Sequence, residues 1–144
     1  MPRRLEDSQS LKSIYRLLDA NLNRCREGLR VLEDSARFVY GDGGFFRAFR
    51  RERHKIDLLT RRLCPDIVSA RNSLEDEGRT IRESGRPNLG GLISANFRRC
   101  EESLRVLEEY GKLFSPRAGA EFKEIRYAAY QLEKLTMKKW KMPR

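Results

Sequence analysis

The chain has a single histidine, His54, and three cysteines, none of them in a CxxC pair. Ligands at metal spacing are missing, which excludes a structural zinc site. No apolar run approaches the roughly 18 residues of a membrane span. The opening "MPRRLEDSQS" lacks the apolar stretch of a secretory signal, so the expected compartment is the cytoplasm, with reduced thiols. No segment alternates apolar and polar residues long enough to read as a strand. There is no GxxxxGK[ST], so a P-loop is excluded, and "GDGG" (41–44) and "NLGG" (88–91) are too short to count as phosphate fingerprints.

Charge is abundant instead. Charged residues make up 36% of the 144 positions against 39% hydrophobic, and the net charge is +10. That mix suits an amphipathic helical protein folded as one domain, 1–144. The excess of cations points to an anionic partner, whether nucleic acid, a membrane surface or a phosphorylated small molecule.

The apolar residues recur at helical spacing. Leu22, Cys25, Leu29, Leu32 and Ala36 form one stripe of a helix expected over Ser10 to Tyr40, which "GDGG" should end. A second helix is expected over 45–63, stopping before Pro65, which disfavours helix for Cys64. Residues 64–91 show no sustained period. A third helix is expected from about Leu92 to Phe114, a break at "SPRAG" (115–119), and a fourth from about Ala120 to Trp140, with the basic tail fraying. The fold class is therefore all-α.

The chain also repeats itself. "DANLNRCREGLRVLED" (19–34) returns as "SANFRRCEESLRVLEE" (94–109), and ten of the fourteen positions 20–33 are identical to 95–108. The helices that follow align more weakly, "FRRERHKIDLL" (49–59) with "FKEIRYAAYQL" (122–132), keeping Phe49/Phe122, Arg53/Arg126 and Leu59/Leu132. The expected architecture is a helical bundle of two duplicated hairpins, repeat one about 10–63 and repeat two about 92–140, with pseudo-two-fold symmetry. Each hairpin would bury the stripe the other offers. Cys25 and Cys100, at equivalent positions on the apolar side, read as small core residues.

On a helical wheel Asn23, Glu27, Arg30 and Asp34 form a polar ladder opposite the stripe, repeated as Arg98, Glu102, Arg105 and Glu109. Glu33 and Glu108 fall at one edge of the stripe and Asn21 and Asn96 at the other, where polar groups are half-buried and need partners. Arg53 and Arg126 could supply them. Two readings stay open on these residues alone: a phosphate and magnesium site at the joint between hairpins, or a structural ion-pair network. "NLGG" precedes the third helix, whose free N–H groups could meet an anion.

These stretches, with "RLLDANLNRCREGLRVLEDSARFV" (16–39), "RERH" (51–54), "EDEG" (75–78), "RPNLGGLISANFRRCEESLRVLEEYGKL" (86–113) and "FKEIRYAAYQLEK" (122–134), resemble one family. It is the small helical hydroxymethylpyrimidine-phosphate kinase of thiamine biosynthesis, found alone or fused ahead of thiamine-phosphate synthase. The resemblance covers about residues 12–136. It implies ATP-dependent phosphorylation of 4-amino-5-hydroxymethyl-2-methylpyrimidine phosphate to the diphosphate, with magnesium.

Carried onto this sequence, the resemblance implies Arg30, Glu27, Arg105 and His54 as catalytic residues. Asn21, Asn23, Arg24, Arg53, Asn96, Arg99 and Arg86 would bind substrates and phosphates, and Asp19, Glu27 and Glu33 would hold magnesium. Asp76, Gly78 and Arg86 lie in the 64–91 connection, which could close over the substrates. Asp19 and Asn23 stand where the second copy has Ser94 and Arg98, so one functional centre is expected rather than two. "DEGRT" departs from the DxGT run associated with the family. Two other readings remain: a non-catalytic partner of thiamine-phosphate synthase, and a basic nucleic-acid-binding module, which the interleaved acids disfavour. A homodimer is also open; a membrane is not expected.

Overall fold

The computed structural model describes residues 8–142, and all their regular structure is helical. The opening "MPRRLED" and the final Pro143 and Arg144 lie outside the described residues, so the reading of the N-terminus is not addressed there. Four long helices carry the fold: α1 (Ser8–Asp34), α2 (Gly43–Leu63), α3 (Leu89–Gly111) and α4 (Pro116–Lys139). A π-helical segment, Ser35–Val39, prolongs α1, and three 3₁₀ turns, Ile67–Ala70, Ser73–Glu75 and Glu77–Thr80, punctuate the connection from α2 to α3.

The helix starts follow from capping chemistry. Asp42 accepts a hydrogen bond from the Phe45 amide at 3.1 Å, Asn88 from Gly91 at 2.8 Å and Ser115 from Ala118 at 3.0 Å. "SPRAG" is thus not a break: Ser115 caps α4 and Pro116 fills its first position, where no amide partner is needed. Likewise α3 begins at Leu89, three residues before the expected Leu92, because Asn88 caps it. Between α1 and α2 the chain reverses at Gly41, φ +58°, a left-handed conformation that glycine adopts at little cost.

The predicted stripe is the core. Leu22, Cys25, Leu29, Leu32 and Ala36 are buried and join Phe49, Ile56, Ile93, Phe97, Leu104, Phe122 and Ile125 in one cluster that all four helices enter. The α1–α3 pair crosses it antiparallel and close. The Cys100 thiol lies 3.5 Å from the Cys25 carbonyl oxygen, and a Cβ at Gly28 would stand 2.7 Å from Cys100 Sγ and 3.1 Å from the Asn96 carbonyl. Phe49 of α2 meets Phe97 of α3 at 5.7 Å between ring centres, tying the hairpins together.

Within each hairpin one buried ion pair sets the angle. Arg53 clasps Glu33 (Nε–Oε2 2.7 Å, NH2–Oε1 3.2 Å), and Arg126 clasps Glu108 (NH2–Oε2 2.9 Å, Nε–Oε2 3.0 Å). Glu33 is only 1% exposed and Glu108 4%, so each carboxylate depends on its arginine. Among the described residues Asn21 and Asn96 find no partner across the joint; each donates to its own helix, to the Leu17 and Leu92 carbonyls at 2.9 and 2.8 Å.

Within the described residues the basic tail is held at Lys139 and Trp140 where fraying was expected. Trp140 stacks on Tyr40 with ring centres 4.0 Å apart and donates its indole N–H to Asp42 at 3.2 Å, while Lys139 pairs with the same carboxylate at 2.8 Å. Burial opposes the charge on Asp42, but the Lys139, Phe45 and Trp140 contacts outweigh it and hold the carboxyl below its ordinary range.

Two substitutions test this packing. Arg53→Ala leaves Glu33 buried and largely unpaired, and should cost about 3 kcal/mol in urea unfolding; a loss under about 1 kcal/mol would mean the pair is dispensable. Gly28→Ala should destabilise by about 1–3 kcal/mol through overpacking, although alanine is the better helix former. A gain in urea midpoint would show that the seam can open without cost.

Candidate functional site

The outer face of the α1–α3 seam holds a two-lobed cleft. One lobe, about 640 Å³, lies between the N-terminal half of α1 and the connection, and the other, about 470 Å³, lies along α3. Asn21, Arg24 and Val106 line both lobes, so the two are continuous.

The connection forms the wall because its first part is pinned. Cys64, Ile67 and Ala70 bury their side chains, bringing Arg71 over α1. There Arg71 grips Asp19 through two bonds of 2.8 Å, Nε to Oδ2 and NH2 to Oδ1. The Asp19 carboxylate raises the Arg71 pKa above its ordinary value, fixing the guanidinium as a cation. Asn23 reaches the same carboxylate at 3.4 Å, and Arg24 reaches the Asn21 amide oxygen at 3.4 Å. After residue 72 the connection runs exposed, with Asp76 on the larger lobe and Arg86 on the smaller.

The electrostatics favour an anion. Arg16, Arg24, Arg86 and Arg98 line the cleft and make no ion pair among the described residues: Arg24 bonds an amide, Arg86 the Ser84 carbonyl and Arg98 the Ser94 hydroxyl. Arg99 is partly engaged, by Glu27 at 3.6 Å across the seam and Glu83 at 3.8 Å from the connection. Guanidiniums that form no ion pair among the described residues suit phosphate oxygens, which they bind bidentately.

The predicted residues thus divide. Asp19, Asn21, Asn23, Arg24, Arg86 and Arg99 come together at the cleft, and Asp76 with them. Gly78 stays beside Asp76, its amide held by that carboxylate at 2.9 Å. Glu33 and Arg53 are instead consumed in the buried hairpin pair, and Asn96 by its own helix. Arg30 bridges Glu33 and Asp34, and Arg105 bridges Glu108 and Glu109, so each braces its buried glutamate from outside. His54 is exposed on α2 and lines neither lobe. The polar ladder is broken at Glu27, which crosses to α3 rather than pairing with Arg30.

Asp19, Glu27 and Glu33 do not meet around one ion. Fourteen residues of helix separate Asp19 from Glu33, about 21 Å at 1.5 Å per residue. Among the described residues no three Asp, Glu, His or Cys side chains gather as an ion-binding group. Arg16 and Arg71 were not anticipated from sequence; Arg71 lies in an aperiodic stretch and acquires its role only through docking on α1.

On the other side of α3, Glu101 is 7% exposed and its Oε2 has no hydrogen-bond partner among the described residues. Burial first, and Glu133 of α4 second, push its carboxyl from the ordinary 4.5 up to about 8, with Glu102 adding and Arg98 opposing.

Against known sequences, the model of the ThiD2 family matches residues 16–135. The chain is 38% identical over 131 residues to a thiamine-phosphate synthase of Nostoc sp., covering 89% of this chain and 36% of that protein. It is 41% identical over 128 residues to one of Synechocystis sp., covering 84% and 35%, and 37% identical over 123 residues to one of Rhodopirellula baltica, covering 83% and 33%. The chain therefore spans about a third of the length of these relatives. No solved structure matches it. No helix among the described residues is long and apolar enough to cross a membrane.

The Glu101 shift has a measurable sign. The folded protein keeps this proton up to about pH 8 while the unfolded chain releases it near the ordinary 4.5, so the group lowers stability as pH rises between those values. Glu101→Gln should leave the melting temperature unchanged at pH 4.5 and raise it by several degrees at pH 8.5. An equal effect at both pH values would show that Glu101 titrates normally.

Proposed function

The chain belongs to the ThiD2 family, and from that premise we propose that it works in thiamine biosynthesis as a phosphotransferase. It transfers the γ-phosphoryl group of ATP to 4-amino-5-hydroxymethyl-2-methylpyrimidine phosphate. An oxygen of the acceptor phosphate attacks the γ-phosphorus. The bond to the bridging oxygen breaks, and ADP leaves with the electron pair. The products are the pyrimidine diphosphate and ADP.

One observation carries this reading: four arginines without carboxylate partners among the described residues converge on a cleft built from the repeated motif. The acceptor oxygen is already ionised near neutral pH, so the step needs little help from a general base. It needs cations that bring two anions together and stabilise charge spreading over the transferring group. Arg24 lies at the junction of the lobes and is placed to contact both phosphates. Arg16 and Arg86 flank it, and Asn21 and Asn23 offer amide groups to phosphate or ring. The Arg71–Asp19 clamp acts as a positioning device that fixes the wall. The connection beyond residue 72 is the element able to close and exclude water.

Magnesium would arrive as a companion of the nucleotide. The donor set does not fit a protein cage, because Asp19 is committed to Arg71 and Glu33 to Arg53.

A second reading has one observation behind it: the named relatives carry this region as about a third of a longer protein. On that reading the chain is a non-catalytic partner of a thiamine-phosphate synthase. A folded chain with no turnover that binds the synthase would favour it.

The deciding assay follows ADP release from ATP and magnesium, with the pyrimidine monophosphate and the free pyrimidine alcohol as parallel acceptors. Turnover is expected with the monophosphate alone. Arg24→Ala should lower kcat/KM by about a hundredfold or more, since it removes charge stabilisation at the transferring group. His54→Ala, remote from the cleft, should stay within about threefold of the parent. No turnover of either acceptor by folded protein would sink the kinase reading.

A further inference from the structure

Arg98 serves two cavities. One is the smaller lobe of the cleft. The other is a groove of about 730 Å³ between α3 and the C-terminal half of α4, walled by Tyr130, Met137 and Met142, with Glu133, Lys134 and Lys138 at its polar edge.

The internal repeat shows that the two hairpins differ at this place. In the first hairpin the matching place is bridged: Arg26, the counterpart of Glu101, pairs with Asp57, the counterpart of Tyr130, at 3.1 Å. In the second hairpin neither charge of that bridge is kept. An acid replaces the arginine and a phenol ring replaces the aspartate. Glu101 is left buried with an unpartnered Oε2, next to a second acid, Glu133, which lines the groove. A buried carboxyl with a free oxygen is costly for folding alone, and such exceptions call for an explanation.

We infer that the α3–α4 groove receives the amino-substituted heteroaromatic ring of a phosphorylated ligand, with Glu133 on the ring's amine edge and Arg98 leading its phosphates into the cleft. Tyr130, Met137 and Met142 border the groove and offer a flat ring contacts that are favourable for aromatic surfaces. A carboxylate accepts from an exocyclic amine, and Glu133 lines the groove where it can do so. Lys134 and Lys138 make the rim attractive to an anion. Arg98 joins groove and cleft, and its first-copy counterpart is the uncharged Asn23. This inference rests on the phosphotransfer reading only for the ring's identity. The adenine of ATP and the aminopyrimidine of the acceptor present the same edge.

Titration calorimetry on the whole chain, without turnover, tests it with three probes: ATP, the pyrimidine monophosphate, and pyrophosphate as an anion lacking a ring. In Glu133→Gln one of the two ring-bearing probes should lose about tenfold or more in affinity, as expected for a charged hydrogen bond removed, with pyrophosphate unchanged. The probe that weakens is the occupant. Tyr130→Ala should weaken the same probe, which keeps the test open if Glu133→Gln fails to fold. Unchanged affinity for both ring-bearing probes, or an equal loss for all three, overturns the inference. Ring-dependent binding without ADP formation would leave the groove assignment standing and remove the kinase reading, so the two failures are distinguishable.

Discussion

The close antiparallel approach of α1 and α3 is the constraint on which the cleft depends. Gly28 lets the Cys100 thiol and the Asn96 carbonyl come within the space a Cβ would occupy, and Cys100 rests on the Cys25 carbonyl. Both cysteines act through size, not reactivity; hydrogen bonding with Cys25 and burial hold the Cys100 thiol well above its ordinary pKa. With the seam this tight, Arg24 of one helix and Arg99 of the other border the same cleft. Separated helices would scatter these cations, and mutual repulsion would drive them further apart. The apolar contact beneath thus opposes the electrostatic cost of the charge above, which an anionic ligand would relieve.

The two buried glutamates play a different part from the carboxylates around the cleft. Glu33 and Glu108 each meet an arginine from the next helix and a second, exposed arginine one turn back. A buried pair of this kind adds little net stability over an apolar core, but it allows few alternative packings. It fixes how α2 lies on α1 and α4 on α3. That explains why charges as well as hydrophobic residues recur in both copies: the hairpin joint is specified by an ion pair, and the joint is used twice.

That distinction also decides how much was legible in sequence. Apolar period with glycine and proline stops placed the four helices but missed the Asn88 and Ser115 caps that start α3 and α4 earlier, and the position of Glu33 and Glu108 at the stripe's edge located their arginines. The same wheel misjudged Glu27 and the two asparagines. A wheel knows only one helix, whereas Glu27 is drawn across the seam to Arg99, and each asparagine is satisfied by a carbonyl four residues back. Carrying motif residues into one site overreached for Glu33, Arg53, Arg30 and Arg105, because a motif records every constrained residue without saying which constraint is folding. Arg71 was out of reach: its stretch has no period, and Asp19 becomes its partner only once Ile67 and Ala70 dock. The Glu101 anomaly did leave a trace, a reversal of charge between positions 26 and 101 that identity counting passes over.

Duplication supplies a framework, and function then requires the copies to differ. The differences cluster where ligands would go. Asp19, which anchors the connection through Arg71, faces Ser94 in the second copy, and Asn23 faces Arg98. Only one segment joins the hairpins; it is pinned on the Asp19 side by Arg71 and borders the other lobe through the exposed Arg86. Only the second hairpin has given up the bridge that Arg26 and Asp57 make in the first. The two changes fall on opposite sides of α3, with Arg98 bordering both spaces. A ligand with a flat polar ring at one end and phosphate at the other is the kind of molecule that makes both losses of symmetry useful at once.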